Sequence, residues 1–310
     1  MYIKPHHIPF QYNTEVFGGT EYQAKYLHEH IIRKLPKLNN YLSIVAPGAM
    51  PYYDFILNQP KQVILWLHNS PKQFNKENYD FIKSPEFIDK LKYVIALSES
   101  EKREIIEQAG IPEEKIYLIP NGFTPLNYDF KKFDNPSKIK LINTSSPDRG
   151  LDVLLNAVSK IDEDFRLEIY NSFNPDIEQI NIPKDPRVKF YGKTPKATVL
   201  EAYENSHIHA YPSTYSETFC VSQAEAMSAG LLCVTSDIGA LPEVSGGQTI
   251  IYPHVEDRLK HAEIFAEELT KAIKKIKEGT WDPTSQVEYV NNKYCWETIE
   301  QQWVKFHELI

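Results

Sequence analysis

The chain has three cysteines in 310 residues, Cys220, Cys233 and Cys295, with no CxxC spacing. An odd count without that spacing excludes a disulfide framework and points to a reducing, cytoplasmic setting. Neither an HExxH motif nor a Cys/His cluster is present, so no metal site is expected. No apolar run approaches the roughly 20 residues of a membrane span, and MYIKPHHIPFQYN lacks the apolar stretch of a signal peptide. Membrane association is therefore not indicated. Positive charge is not in excess: the net charge is −8, which argues against a general nucleic-acid partner. The dinucleotide loop GxGxxG, the phosphate loop GxxxxGK[ST] and the nucleophile elbow GxSxG are all missing. Dehydrogenases, P-loop enzymes and serine hydrolases are disfavoured accordingly.

What remains is an ordinary globular composition, 42% hydrophobic and 25% charged, with 19 Tyr and 15 Phe against 12 Gly. The length suggests about two domains. Short β-rich apolar runs alternate with helical patterns: 62–68, 93–98 and 115–120 in a first half, then 139–145, 166–172, 188–193, 208–213, 231–236 and 249–253. Helical spacing covers 18–33, 99–108, 151–161, 197–205 and 221–229, and an apolar face runs from Leu259 to Ile276. Such alternation predicts an α/β protein with parallel sheets covered on both faces. The segment 121–138, with Asn-Gly, two prolines and clustered charges, reads as the crossing between halves. The expected division is 1–130, 131–285 and a last helix in 286–310 that packs back on the first half. The opening strand of that half is sought in MYIK.

The densest chemistry lies in YPSTYSETFCVSQAEAMSAG, 211–230. A strand ends in a Pro-Ser turn and feeds a helix, with Glu217 at the helix mouth and Glu225 two turns inside. In an α/β sheet ligands bind at such strand ends, and two separated carboxylates suit a ligand with hydroxyls at two places, such as a sugar nucleotide. In SSPDRGLDVLL, 145–155, another strand-turn-helix places Arg149 beside a helix start, a natural anion site. Gly18-Gly19 opens an amphipathic helix, where backbone amides can approach a ligand closely. His68 ends a strand in WLHNSP, and Glu243 in SDIGALPEVSGG is placed to cap the element after it. Asp162-Glu163-Asp164 reads as a solvated turn, and Lys271, Lys274, Lys275 and Lys277 as a solvated helix face.

Together these motifs resemble the donor-binding signature of retaining glycosyltransferases of family 4, which have the GT-B fold. That pattern has Pro-Ser, Glu-x-Phe-Gly, a second Glu eight residues after the first, and Gly-x-x-Glu. Gly18-Gly19, His68, the turn PNG (120–122), Arg149-Gly150 and the closing CWETIEQQW match as well. The resemblance implies two Rossmann-like domains across a cleft and transfer of a hexose-type sugar, with retention and without metal. The donor would be a nucleoside diphosphate sugar of UDP or GDP type, and the acceptor a glycan or other hydroxyl compound. It implies catalytic roles for Glu217, His68 and Arg149, with Arg149 facing the diphosphate. Glu225 would hold the ribose, Glu217 and the amides of Thr218, Phe219, Cys220 and Val221 the sugar, and the base would lie near Tyr191 and Gly192, with Lys193, Gly18 and Gly19 as further donor-binding residues. No cofactor beyond the donor is implied. Two residues depart from the pattern. Thr144 stands where the family has a second basic residue, leaving Lys193 or Lys196 as substitutes, and Cys220 stands where it has glycine. A nucleotide-sugar epimerase of similar fold and a non-catalytic nucleotide-sugar binder remain alternative readings of these residues.

Overall fold

In the computed structural model the described residues are 19–40, 42–46, 57–58, 60–69, 83–126, 130–171 and 185–310. Gly18 and the MYIK segment lie outside them. Two parallel sheets organise the chain. The first has the order β1-β2-β3-β4, from Leu42–Ala46, Val63–Leu67, Leu91–Ala96 and Ile116–Leu118. The second has the order β10-β9-β8-β5-β6-β7, from Ile139–Asn143 (β5), Phe165–Asn171 (β6), Val188–Lys193 (β7), Ile208–Tyr211 (β8), Leu232–Ser236 (β9) and Ile250–Tyr252 (β10). Each strand expected from an apolar run is present. β1 is an addition: LSIVA is interrupted by Ser43 and followed at once by Pro47-Gly48, which disguises a strand paired residue for residue with β2.

The helices are α1 (Gly19–Tyr26), α2 (Pro85–Lys90), α3 (Glu99–Glu104), α4 (Leu151–Val158), α5 (Lys196–Glu204), α6 (Val221–Ser228), α7 (Leu241–Ser245), α8 (Arg258–Lys277), α9 (Thr284–Tyr294) and α10 (Trp296–Leu309). α1 and α3 each widen into a π-turn, over Leu27–Ile31 and Ile105–Ala109, so the expected helices at 18–33 and 99–108 continue in altered form. α9 escapes sequence reading because a polar residue occupies its buried stripe of Gln286, Val290 and Tyr294. The Gln286 amide nitrogen is nonetheless engaged, while its side-chain oxygen is buried without a partner. Its amide donates to the carbonyls of Met227 and Leu231 at 3.1 and 2.9 Å, groups left open where α6 ends.

Apolar side chains of β5, β6, β8 and β9 pack under α4 and α8 in one core. A second core is continuous from the first sheet to the second: Ile64, Trp66 and Ile95 share it with Ile142, Phe219, Met227, Trp303 and Phe306. α10 joins the two. Trp303 meets Trp66 edge-on at 5.3 Å, and Phe306 packs against Tyr93 and Tyr117 at 5.3 and 5.0 Å. At its start Trp296 stacks on Tyr26 at 3.9 Å. The acidic turn 162–164 is engaged at its surface, Glu163 by Lys277 at 2.8 Å and Asp164 by Lys138 at 3.2 Å. Lys271 likewise pairs with Glu268. Among the described residues no helix is long and apolar enough to cross a membrane.

The segment expected as a crossing begins deep inside the protein. Gln23 clamps Gly122 from both sides, donating to its carbonyl at 2.6 Å and accepting from its N–H at 3.0 Å. Phe123 exchanges backbone hydrogen bonds with Tyr294 and Trp296. A Cβ on Gly122 would lie 2.3 Å from the Trp296 ring. Gly122→Ala should therefore destabilise the protein by about 1–3 kcal/mol, the usual cost of overpacking. Thermal melting checks this, and an unchanged midpoint would count against the close fit.

Candidate functional site

The second sheet reverses its strand order between β5 and β8. At that point the chain leaves two adjacent parallel strands in opposite directions and opens a crevice at their carboxyl ends, where ligands of α/β sheets bind. Asn143 closes the floor, its side chain donating to the Ala210 carbonyl at 2.8 Å. The loop after β5 turns through Gly150 at φ +109°, and a Cβ there would sit 2.2 Å from the Pro212 oxygen. Glycine is required on both counts. The result presses Arg149 against the loop that follows β8.

Arg149 is half-buried there. Its Nη1 donates to Glu217 Oε1 at 2.5 Å, and its guanidinium lies 4.0 Å from the centre of the Tyr215 ring. Tyr211 also donates to Glu217 Oε1. Burial opposes the Arg149 charge, but the Glu217 carboxylate outweighs it and the group stays a cation. Burial first, then Glu217, raises the Tyr211 hydroxyl well above the ordinary tyrosine range, so it remains a donor. The Glu217 backbone is fixed by Ala240, which donates to its carbonyl at 2.8 Å, and by Gly239 at φ +62°, where a Cβ would come within 2.5 Å of it.

Glu225 occupies a separate position on α6. It is almost wholly buried, and Lys196 donates to its Oε2 at 2.6 Å. Thr144, where the sequence pattern lacks a basic residue, is hydrogen bonded to the Tyr203 hydroxyl at 2.5 Å. His68, at the end of β2, is joined to the second sheet by Thr218, which donates to its carbonyl at 3.2 Å. The His68 ring is buried with Nε2 unpartnered, and burial lowers its pKa to about 3, so it is a neutral imidazole. Cys220 caps α6 at φ +82°. Burial, helped by Glu217, pushes its thiol up to about 12, which leaves it unreactive.

The crevice thus unites Arg149 and Glu217, with Thr218 linking His68 to the same loop, while Glu225 pairs with Lys196. Phe219 is buried edge-on against Tyr294 at 5.0 Å, and Val221 begins α6. Tyr191 lies toward the sheet edge, stacked on Tyr170 at 4.5 Å, beside a buried Gly192 at φ +68°. Gly19 starts α1. The Lys193 side chain lies outside the described residues. Glu243 does not cap the element after it. Its carboxylate accepts from the N–H groups of Glu99 and Ser100 and so caps α3 of the other half. Tyr211 and Tyr215 were not singled out in the sequence. Their only signal is their place in YPSTY, two aromatics flanking a strand-end turn.

Residues 141–276 match the glycosyl transferases group 1 family model. The chain is 23% identical over 239 residues to an uncharacterized glycosyltransferase of Methanocaldococcus jannaschii, covering 70% of this chain and 60% of that one. It is 25% identical over 237 residues to the GPI3 subunit of the phosphatidylinositol N-acetylglucosaminyltransferase of Saccharomyces cerevisiae, covering 69% of this chain and 50% of that one. The chain thus spans less than two thirds of the length of these relatives. Among solved structures, Anabaena HepE in complex with UDP superposes with a TM-score of 0.70 at 18% identity, over 90% of this chain and 82% of that chain. A sucrose-phosphate synthase from Thermosynechococcus elongatus gives 0.69 at 17% identity, over 94% and 78%. The fold is GT-B.

Two measurements test this geometry. A non-glycine residue at the Cys220 backbone angle carries about 1–2 kcal/mol of strain, so Cys220→Gly should melt higher than Cys220→Ala, the reverse of the usual order. Histidine in an unfolded chain titrates near 6.5, whereas the folded values are about 3 for His68 and His209 and about 4 for His261, each lowered chiefly by burial. The unfolded state binds these protons first, so their contribution is complete above about pH 6.5 and is lost as pH falls toward 3–4. His68→Gln should flatten part of the stability slope between pH 6.5 and 4 in denaturant titrations. An unchanged slope would contradict a neutral buried imidazole.

Proposed function

We propose that this chain, which carries a glycosyl transferases group 1 domain at residues 141–276, moves a sugar from a nucleoside diphosphate sugar to a hydroxyl acceptor. The observation that carries the reading is Arg149, kept cationic and partly open at the β5/β8 switch point of that domain. Departure of a nucleoside diphosphate develops negative charge on its terminal phosphate. A fixed guanidinium and the N–H groups at the start of α6 stabilise that charge without reorganising. The resident partner of Arg149 is Glu217, so an arriving diphosphate takes over one arm of the guanidinium while Glu217 and Tyr211 hold the other in place.

The remaining roles follow from position. Glu225, on α6, accepts the ribose hydroxyls. Backbone groups from Thr218 to Val221 face the transferred sugar, and Glu217 serves both that sugar and Arg149. Tyr191 and Gly192 lie at the sheet edge for the base. His68 presents a neutral imidazole whose Nε2 is a buried polar atom without a partner, a group that a sugar hydroxyl would satisfy. Gly19, at the start of α1, serves as a donor-binding residue from the first half. The transferred group is a hexose-type sugar and the acceptor a glycan or other hydroxyl compound. Attack comes from the face the leaving group vacates, giving retention, and the charge is met by protein groups without a metal ion. The two sheets correspond to an acceptor side in 1–130 and a donor side in 131–285.

Calorimetry with UDP and GDP tests the donor site. Arg149→Ala and Glu225→Ala should each weaken binding about tenfold or more, the scale of one lost charge-assisted hydrogen bond. Unchanged affinity in both would refute the assignment. For turnover, the anomeric configuration of the product by NMR decides retention, and an unaltered rate in chelator is expected of a metal-independent transfer.

A further inference from the structure

The donor pocket contains an unexpected one-to-one match of charge. Glu217 is paired with Arg149 at 2.5 Å and Glu225 with Lys196 at 2.6 Å. Building on the donor-site reading above, a nucleoside diphosphate brings further negative charge into a region that already holds two carboxylates. Desolvated phosphate requires cations or oriented donors, and Thr144 supplies neither charge nor a free hydroxyl, since that hydroxyl is bonded to Tyr203. We propose that Lys196 is the second cation of the diphosphate site and replaces the missing basic residue from a different element, bridging Glu225 to the phosphates.

Three observations support this. First, Lys196 stands at the first position of α5, a helix with no acidic residue in its first turn and no side-chain cap. A cation there opposes the helix dipole, so the lysine is placed for partners beyond its own helix, of which the buried Glu225 carboxylate is one. Second, an ammonium has three donors. One reaches Glu225 Oε2, and among the described residues no second hydrogen-bond acceptor engages the others. The side chain is one third exposed, so the group is accessible to a ligand from solvent. Third, Lys196 lies 5.8 Å from the centre of the Tyr22 ring on α1. The ammonium therefore stands where the two halves face each other. A lysine suits this task better than an arginine because its charge is compact and its donors rotate. It can keep Glu225 in place against the ribose while turning its free N–H groups to the phosphates.

A double-mutant cycle separates this role from simple neutralisation of Glu225. Affinity for UDP and for GDP is measured by calorimetry in the full chain for wild type, Lys196→Met, Glu225→Gln and the pair. Direct phosphate contact predicts that Lys196→Met costs about tenfold or more in both the wild-type and the Glu225→Gln background, with Lys196→Arg restoring part of it. It also predicts a smaller slope of affinity against salt in Lys196→Met. If Lys196→Met has no effect, or its effect vanishes once Glu225 is Gln, the inference is overturned while the donor site stands. If the wild-type protein, folded by circular dichroism, binds neither nucleotide, the donor-site reading itself fails.

Discussion

All strand pairs among the described residues are parallel, and that constraint does much of the work of building the site. Parallel strands end on the same edge, so the loops after β5, β8 and β9 emerge side by side although they are far apart in sequence. Crowding is the consequence. At Gly150 and Gly239 backbone meets backbone, and each combines a positive φ with no room for a Cβ. These contacts leave Arg149 and Glu217 little freedom. Thr214 donates to the Arg149 carbonyl and Ala240 to that of Glu217, so both ends of the ion pair are tied to the same loop system. The pair is thus a property of the sheet topology as much as of its two side chains.

The halves meet in two chemically different ways. On the side of α10 the joint is apolar: Trp66, Trp303, Phe306 and Trp296 lie in one continuous core, with the Gly122 turn locked beneath. Toward the cleft the contacts are hydrogen bonds. Thr218 reaches the His68 carbonyl, Ser216 reaches Glu104, and Glu243 caps α3. Each such bond exchanges for water at a net cost of about 1 kcal/mol, whereas opening the apolar side would expose large aromatic surfaces at far greater cost. The physics therefore favours a fixed joint at α10 and an exchangeable one at the cleft.

Much of this was legible in the sequence, for identifiable reasons. The strands of the second sheet are uninterrupted apolar runs bounded by turns, the signature of a buried parallel sheet. β1 lacked that signature because Ser43 and Pro47 break it, and α9 lacked an apolar stripe because Gln286 sits in it. The Cys220 departure becomes intelligible only with the backbone in view: a left-handed angle explains why a glycine belongs there, and burial why a small thiol is tolerated. The pairing of the carboxylates was not legible at all. Arg149 and Glu217 are 68 positions apart, and Lys196 and Glu225 are 29 apart. No spacing rule connects residues brought together by a strand-order reversal.

That pairing also constrains what the pocket can accept. A buried carboxylate stripped of its cation is expensive, so an anion that merely withdrew Arg149 or Lys196 would leave Glu217 or Glu225 bare. A neutral sugar, conversely, offers hydroxyls to the carboxylates but nothing to the cations. A ligand carrying phosphate and hydroxyl groups a few ångströms apart satisfies both members of each pair at once. On the proposed donor-site reading, the ion pairs act as a filter as well as a scaffold: each carboxylate is matched by a cation, an arrangement suited to molecules in which anion and polyol are covalently joined, as in a nucleoside diphosphate sugar.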